Sequence, residues 1–298
     1  MHEAGSWMFE YRFMRMEMGD LREGTDDTDA RSVIRDPSTT YMMAPTEMTM
    51  DMHMLMAMYG QTDRLSWMVM LNYLDNEMDM LMFMPMMGAF VKADSMKSDG
   101  LGDTEVAAMY RLDSANTNDT LLLNVGLSLP TGSVDEEDSD GNLLPYGMQL
   151  GSGTFDLKPG VTYSYRMDSW DFGAQASYTM RLNDNDQDYN QGDRLDAQGW
   201  AKYGFGQGTT ATARLAYSDW DSIDGAAEDI TAMQLRMSPT FDPDNYGGNR
   251  WDLSVGVSHA FGGGHMLGFE YGQPIAQDLN GVQMKTDSML SLAYQYMF

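Results

Sequence analysis

The sequence predicts an all-β protein: a transmembrane antiparallel β-barrel of about twelve strands, with short periplasmic turns and long extracellular loops. Three observations lead to this fold class. Apolar and polar side chains alternate along the candidate strands, short and long connections alternate between them, and the chain ends on an aromatic residue, Phe298. A period of two places apolar residues on one face of a strand and polar residues on the other. Repeated along the chain, this pattern is typical of a barrel with lipid outside.

We expect each strand to turn its aromatic or aliphatic row toward lipid. In the first strand, Trp7, Phe9 and Tyr11 share one face, and Met8 and Glu10 share the other. Tyrosines and tryptophans cluster near strand ends, where their rings suit the membrane–water interface. The candidate strands are 6–18, 47–59, 64–76, 103–112, 119–130, 153–166, 169–182, 193–205, 208–218, 250–261, 265–274 and 284–298. Tight turns are predicted at 60–63, 113–118, 167–168, 206–207 and 262–264, and external loops at 19–46, 77–102, 131–152, 183–192, 219–249 and 275–283.

Composition limits the class of protein further. The 298 residues suffice for one barrel domain, 1–298, and no apolar run approaches the length of a spanning helix. The formal charge of −27 argues against nucleic acid as a partner, because phosphate-binding surfaces need basic clusters. The absence of cysteine fits passage through an oxidising periplasm. Residues 1–5 lack the basic start and apolar core of a signal peptide, so we expect a mature or trimmed chain in the outer membrane of a Gram-negative bacterium.

The inward rows carry both signs of charge in nearly equal number. Eight acids and nine bases lie there, so the inferred interior is almost neutral and the excess acid falls in loops and turns. The acids are Glu10, Glu105, Asp156, Asp171, Asp196, Asp252, Glu270 and Asp287, and the bases are Arg12, Arg111, Lys158, Arg166, Arg181, Arg194, Lys202, Arg214 and Lys285. Such a balance favours a cross-strand ionic network that narrows the lumen over an open aqueous pore.

A water-soluble barrel or sandwich is the alternative fold, and the mean hydropathy of −0.42 fits it. Such a fold puts apolar side chains inside and charge outside, so it would have to bury every aromatic row. The long loops on one side and the aromatic C terminus favour the membrane barrel. Burial of Phe9, Leu123, Leu127 or Trp170 in a core would contradict this interpretation.

Three Gly-rich segments, 100–103, 126–132 and 151–156, lie at the mouths of candidate strands. Together with Phe298, they resemble the outer-membrane barrels grouped as transporters of the phenol meta-cleavage pathway. The resemblance covers most of the chain after residue 100 and implies a porin-like barrel that passes or binds small molecules, without catalytic residues. The Met-rich first third resembles the copper-associated barrels of this broad group, which implies a soft-metal cargo in place of an aromatic one.

Methionine is concentrated in the first third of the chain, where 22 of the 32 methionines precede residue 97. On the second strand, every even position from 48 to 58 is methionine. If the first three strands pair as neighbours, their methionines form one patch. Thioether sulfur is a soft, neutral ligand that suits Cu(I) and Ag(I). The candidate metal-binding residues are Met14, Met16, Met18, Met48, Met50, Met52, Met54, Met56, Met58, Met68, Met70 and His53.

The orientation of the second-strand methionine row is open at the level of sequence. Methionine is also a flexible apolar filler, so a row that faces lipid would be plain hydrophobic surface. The opposite row is ambiguous, because Leu55 suits lipid whereas Asp51 and His53 do so only at the outer interface. We favour methionine in the lumen, and a structural or interfacial role over metal ligation for His53.

The leading hypothesis is a barrel that transports or captures copper along its methionine wall. The alternatives are a channel for small hydrophobic or aromatic molecules and a non-conducting scaffold barrel for a protein partner. No serine shares a face with a histidine and a carboxylate, so we expect no enzyme. The loop 183–188 has the oxygen density of a Ca²⁺ site but lacks the glycine and distal glutamate of an EF-hand, and contact with lipopolysaccharide through divalent ions is favoured. Expected partners are therefore outer-membrane lipids, lipopolysaccharide, and a small solute or metal ion.

Overall fold

The computed structural model describes residues 3–35, 41–112 and 118–298, and most of these lie in β-strands. The strands are β1 (Trp7–Gly24), β2 (Asp26–Thr28), β3 (Met43–Gly60), β4 (Leu65–Met84), β5 (Ala89–Lys92), β6 (Met96–Leu101), β7 (Thr104–Leu112), β8 (Asp119–Leu129), β9 (Asp156–Met167), β10 (Trp170–Arg181), β11 (Tyr189–Asn190), β12 (Arg194–Gly206), β13 (Thr209–Trp220), β14 (Asp224–Gly225), β15 (Gly248–Gly262) and β16 (His265–Met297). The helices are α1 (Ala30–Arg35) and α2 (Gln234–Met237), with 3₁₀ turns at Tyr146–Met148, Pro239–Phe241 and Pro243–Asn245.

The long strands form one closed antiparallel barrel. The sheet runs β16-β15-β13-β12-β10-β9-β8-β7-β4-β3-β1, and pairing of β1 with β16 closes it. The 33-residue β16 turns back near Gly281, which has a positive φ of 60° that glycine adopts without strain. Residues 265–279 pair with β15, and residues 279–297 pair with β1. The barrel therefore has eleven strands when β16 counts as one and the predicted twelve when its two arms count separately.

The alternation of short and long connections is confirmed at the described turns. Strand pairs meet across two to four residues at 61–64, 168–169, 207–208 and 263–264. The predicted turn at 113–118 falls almost wholly outside the described residues. The prediction of loops was wrong at 19–24, 77–84 and 275–283, where β1, β4 and β16 continue. Above the membrane both faces of a strand meet water, so strand pairing continues after the apolar alternation ends.

The aromatic and aliphatic rows face outward, as predicted. Phe9, Leu123, Leu127 and Trp170 are 46%, 44%, 37% and 40% exposed, respectively, so none of them lies in a core. Their neighbours on the same face form a girdle around the barrel, which is the surface that an outer-membrane barrel presents to lipid. No helix in the described parts of the chain combines the length and the apolarity that crossing a membrane would require.

Ion pairs occupy the opposite face, as the balance of charge indicates. The predicted residues pair as Arg12–Glu10, Lys158–Glu105, Arg166–Asp171, Arg181–Asp156, Arg194–Asp196 and Arg214–Glu270. Arg250, which the sequence reasoning missed, pairs with Asp252 at 3.0 Å. It lies two residues from Asp252 and so shares its face, a spacing that could have revealed it.

External segments cover the extracellular mouth. The loop 131–152 folds inward, so that Tyr146 and Met148 are buried. Tyr146 packs edge-on against Tyr189 and Tyr246, which belong to two other loops. The short helix α1 packs its buried Val33 and Ile34 against Leu21 and Ala44, in the part of the wall that stands above the girdle. The mouth is therefore covered by packed loop segments.

Candidate functional site: a methionine-lined lumen

The methionines of β1, β3 and β4 form one surface inside the barrel, which we call the methionine wall. Strand register sets them opposite each other, because Met18, Met48 and Met78 lie in one row across the three strands. Further along, Met8, Met58 and Met68 form another such row. The members of the wall are Met8, Met14, Met16, Met18, Met48, Met50, Met52, Met54, Met56, Met58, Met68, Met70 and Met78.

Contacts on both faces of β3 settle the orientation that the sequence left open. Leu55 is 57% exposed on the outside, whereas Met48 and Met50 line an interior cavity. Asp51 lies on the outer face without an exposed unpaired charge, because Arg15 contacts it at 2.5 Å. The even-numbered methionines therefore face the lumen.

His53 does not join the methionine wall. Its Nδ1 lies 2.7 Å from the hydroxyl of Tyr11, and its ring contacts Phe13 and Tyr73. All of these partners lie on the outer face, because side chains alternate along each strand. The inclusion of His53 among the metal-binding methionines does not fit this geometry. The structure instead places His53 among the aromatic side chains of the outer face.

The upper cavity, at the extracellular end of the wall, has a volume of about 200 Å³ and is dominated by methionine. Seven methionines from five segments line it: Met16, Met18, Met48, Met50, Met78, Met148 and Met284. The remaining lining residues include no carboxylate, imidazole or basic group. The cavity offers thioether sulfur, aromatic surface and amide groups.

Three of these seven methionines lie outside the predicted ligand set. Met78 continues the even parity of β4, which is visible in the sequence. Met148 belongs to the inward-folded loop, where its backbone carbonyl accepts a 2.6 Å hydrogen bond from Ser98. Met284 lies on β16 beside Leu21 of β1. No local pattern in the sequence indicates where the loop residue Met148 lies.

The lower cavity adjoins the upper one, extends further toward the periplasm along β3 and β4, and has a volume of about 440 Å³. Met50, Met52 and Met70 line one part of it, and the adjoining part, which begins at Glu105 next to Met70, carries the ion pairs Lys158–Glu105 and Arg181–Asp156. Asp156 is almost fully buried and also accepts a hydrogen bond from Thr154. This cavity therefore combines soft apolar sulfur with an adjoining network of paired charges.

The described residues contain no cluster of carboxylates and imidazoles of the kind that binds hard metal ions. No group of three or more His, Asp or Glu side chains there is arranged to hold a metal ion. In the acidic loop, Asp184 instead accepts a hydrogen bond from Asn190, and Asn185 accepts one from Gln187. The geometry thus adds no support for Ca²⁺ at this loop.

The fold is similar to that of solved outer-membrane barrels. An outer-membrane channel from Pseudomonas putida F1 is 16% identical, with a TM-score of 0.67 over 100% of this chain and 97% of the other. A deletion mutant of the monoaromatic hydrocarbon channel TodX is 8% identical, with a TM-score of 0.51 over 99% of this chain and 91% of the other. At these identities the similarity establishes the fold alone, that of a barrel in the outer membrane.

Sequence comparison gives the family. No curated protein matches the chain significantly. The family model described as "Putative MetA-pathway of phenol degradation" matches residues 58–278, a range that leaves out β1 and nearly all of β3. The match covers well over half of the chain, and the chain therefore belongs to this family.

Proposed function

We propose that this barrel is an outer-membrane channel that takes up a soft monovalent cation, Cu(I) first, along its methionine wall. The observation that carries the proposal is the upper cavity, where seven thioethers converge without a carboxylate or imidazole among the lining residues. Thioethers bind Cu(I) and Ag(I) and hold hard cations poorly. Such a cavity therefore binds soft monovalent cations in preference to hard ones.

The spacing of the wall supports passage as well as binding. Successive inward residues of a strand lie roughly 7 Å apart, and cross-strand neighbours lie about 5 Å apart. From Met48 to Met58 the β3 row is unbroken, so every level of the wall between these residues carries at least one sulfur. Neutral ligands at many weak sites suit conduction, because an ion must leave each site as readily as it enters.

Titration of the detergent-solubilised barrel with Ag⁺, an air-stable probe of the same softness, tests the proposal. We expect binding tighter than millimolar, and a loss of at least tenfold in affinity when Met48, Met50, Met78 and Met148 are replaced by leucine. Leucine nearly keeps volume and apolarity, so the fold should survive. Met167→Leu, at an exposed methionine on the periplasmic end of β9, is the matched control.

Two results would contradict the proposal. The first is a wild-type barrel that binds Ag⁺ no more tightly than millimolar. The second is a fourfold leucine variant that binds Ag⁺ as the wild type does. Heat-dependent migration in detergent gels would verify that each variant forms a closed barrel.

A second candidate is a channel for small aromatic molecules. The family description favours it, and so does the lower cavity, which sets the apolar Met50, Met52 and Met70 against polar groups. Trp220 lines this cavity, so phenol binding should quench its fluorescence, and Trp220→Phe should remove that change. Phenol quenching that saturates, without any Ag⁺ binding, would replace the first proposal by the second.

A further inference from the structure

One level of the methionine wall differs from the others in carrying carboxylates. Glu10 pairs in register with Met56, Met56 with Met70, and Met70 with Glu105. Four adjacent strands thus place two thioethers between two carboxylates, at neighbouring positions about 5 Å apart. We call these four residues the acidic rung.

Each carboxylate of the acidic rung is held by a base from an adjacent level. Arg12 contacts Glu10 at 2.7 Å, and Lys158 contacts Glu105 at 2.7 Å. Both carboxylate side chains are largely withdrawn from solvent. Together with Arg12 and Lys158 the rung is neutral in total charge, although its four residues place two negative charges beside two soft donors.

A cation held by thioethers alone keeps its full charge, which is costly in a poorly hydrated lumen. Adjacent carboxylates reduce that cost, whereas Arg12 and Lys158 compete for them. We propose that the acidic rung is a second soft-cation site with mixed sulfur and oxygen ligands, and that Arg12 and Lys158 weaken it. This inference rests on the proposed function, because it assigns the cation a resting place below the upper cavity.

A further oxygen atom lies next to the rung and is available to a bound cation. Asn72 is the β4 residue in register with Met54 and lines the lower cavity. Its amide nitrogen donates to the carbonyl of Asp103, but its side-chain oxygen is buried and accepts no hydrogen bond within the described residues. An unused oxygen beside Met70 gives an arriving cation one more hard donor.

Ag⁺ titration of charge variants tests the acidic rung. The double variant Glu10→Gln, Glu105→Gln removes both negative charges and leaves two bases, so we expect at least a tenfold loss of affinity at one class of site. Arg12→Gln frees Glu10 and should tighten the same site severalfold. Glu17→Gln is the matched control, because Glu17 lies on the outer face of β1. Met56→Leu with Met70→Leu should remove one Ag⁺ from the stoichiometry.

The outcomes separate this inference from the proposed function. Absence of Ag⁺ binding by the wild type overturns both. Binding by the wild type with unchanged isotherms in the glutamine and leucine variants overturns the acidic rung and leaves the upper cavity standing. Opposite shifts in affinity for the double glutamine variant and for Arg12→Gln support the rung, since damage to the fold would weaken binding in both.

Discussion

A glycine paired with a tryptophan stabilises the inner surface opposite the methionine wall. Gly173 of β10 lies in register with Trp200 of β12, and the indole of Trp200 covers the glycine so closely that a Cβ there would overlap it. The indole nitrogen also lies 3.4 Å from a carboxylate oxygen of Asp171. The bare backbone of Gly173 therefore makes room for the ring.

Replacement of Gly173 by valine should destabilise the barrel by about 1–3 kcal/mol, because the added atoms displace a packed ring. Urea-induced unfolding in detergent, followed by tryptophan fluorescence, would measure the change. In a Trp200→Ala background the same replacement should cost much less. Equal costs in both backgrounds would show that the ring does not depend on the glycine.

The parity of single residues was predictable only where both rows of a strand have a clear preference. On β1, aromatic rings from Trp7 to Phe13 and the methionine or charge between them separate cleanly, and the structure confirms the division. On β3, Asp51 and His53 left the orientation open, because a charge is costly in lipid. The structure resolves this through partners that sequence does not show, namely Arg15 for Asp51 and Tyr11 for His53.

At the scale of elements, the strands were predictable and the folded loops were not. Period-two alternation is local, so it indicated every long strand of the barrel. The inward fold of 131–152 depends on distant contacts such as Ser98 with Met148 and Tyr146 with Tyr246. Long-range contacts of this kind leave no periodic trace in the sequence. The strand methionines that line the upper cavity were therefore largely predictable, whereas the loop residues that complete it, such as Met148, were not.

Ser98 should be important for holding the loop 131–152 in the mouth. Its hydroxyl donates to the carbonyl of Met148 and accepts from the amide of Asn76, all in a buried environment. Ser98→Ala leaves both partners unsatisfied, at a cost of about 1–3 kcal/mol. We expect faster amide exchange at 143–150, measured by mass spectrometry. Ser288→Ala, on the outer rim, should leave exchange there unchanged, and unchanged exchange in Ser98→Ala would refute this role.

The outer part of β4 should loosen in acid. Hydrogen bonds from Lys92 and Ser95 hold the pKa of Asp79 below its ordinary value. Because the pKa is lower in the folded state, this contribution is complete above the ordinary carboxyl pKa and is lost as the pH falls through the folded-state value. Amide exchange at β5, corrected for its intrinsic pH dependence, should therefore rise in strong acid. In Asp79→Asn it should already be raised at neutral pH and change little on acidification.

For the whole molecule, closure and charge balance follow from the same alternation. Inner charges pair across strands, as Lys158 does with Glu105, and within one strand, as Arg12 does with Glu10. Ions of both signs therefore occupy the lumen, while most excess acid lies in loops and turns. Together with the loops over the mouth, this network should restrict ion flow. We expect small single-channel conductance in planar bilayers, and a several-fold rise when 134–149 is replaced by a short Gly-Ser linker. Large ohmic conductance of the intact barrel would contradict this expectation.

The hairpin between β4 and β5 carries two exposed methionines at its tip. Met86 is 102% exposed and Met87 is 67% exposed, whereas Met80, near the outer end of β4, is fully buried. Peroxide in the surroundings would reach the tip first and convert these two side chains to sulfoxides. A sulfoxide presents hard oxygen in place of soft sulfur, so oxidative stress would change the chemistry of the exposed tip and leave the buried sulfurs as they are.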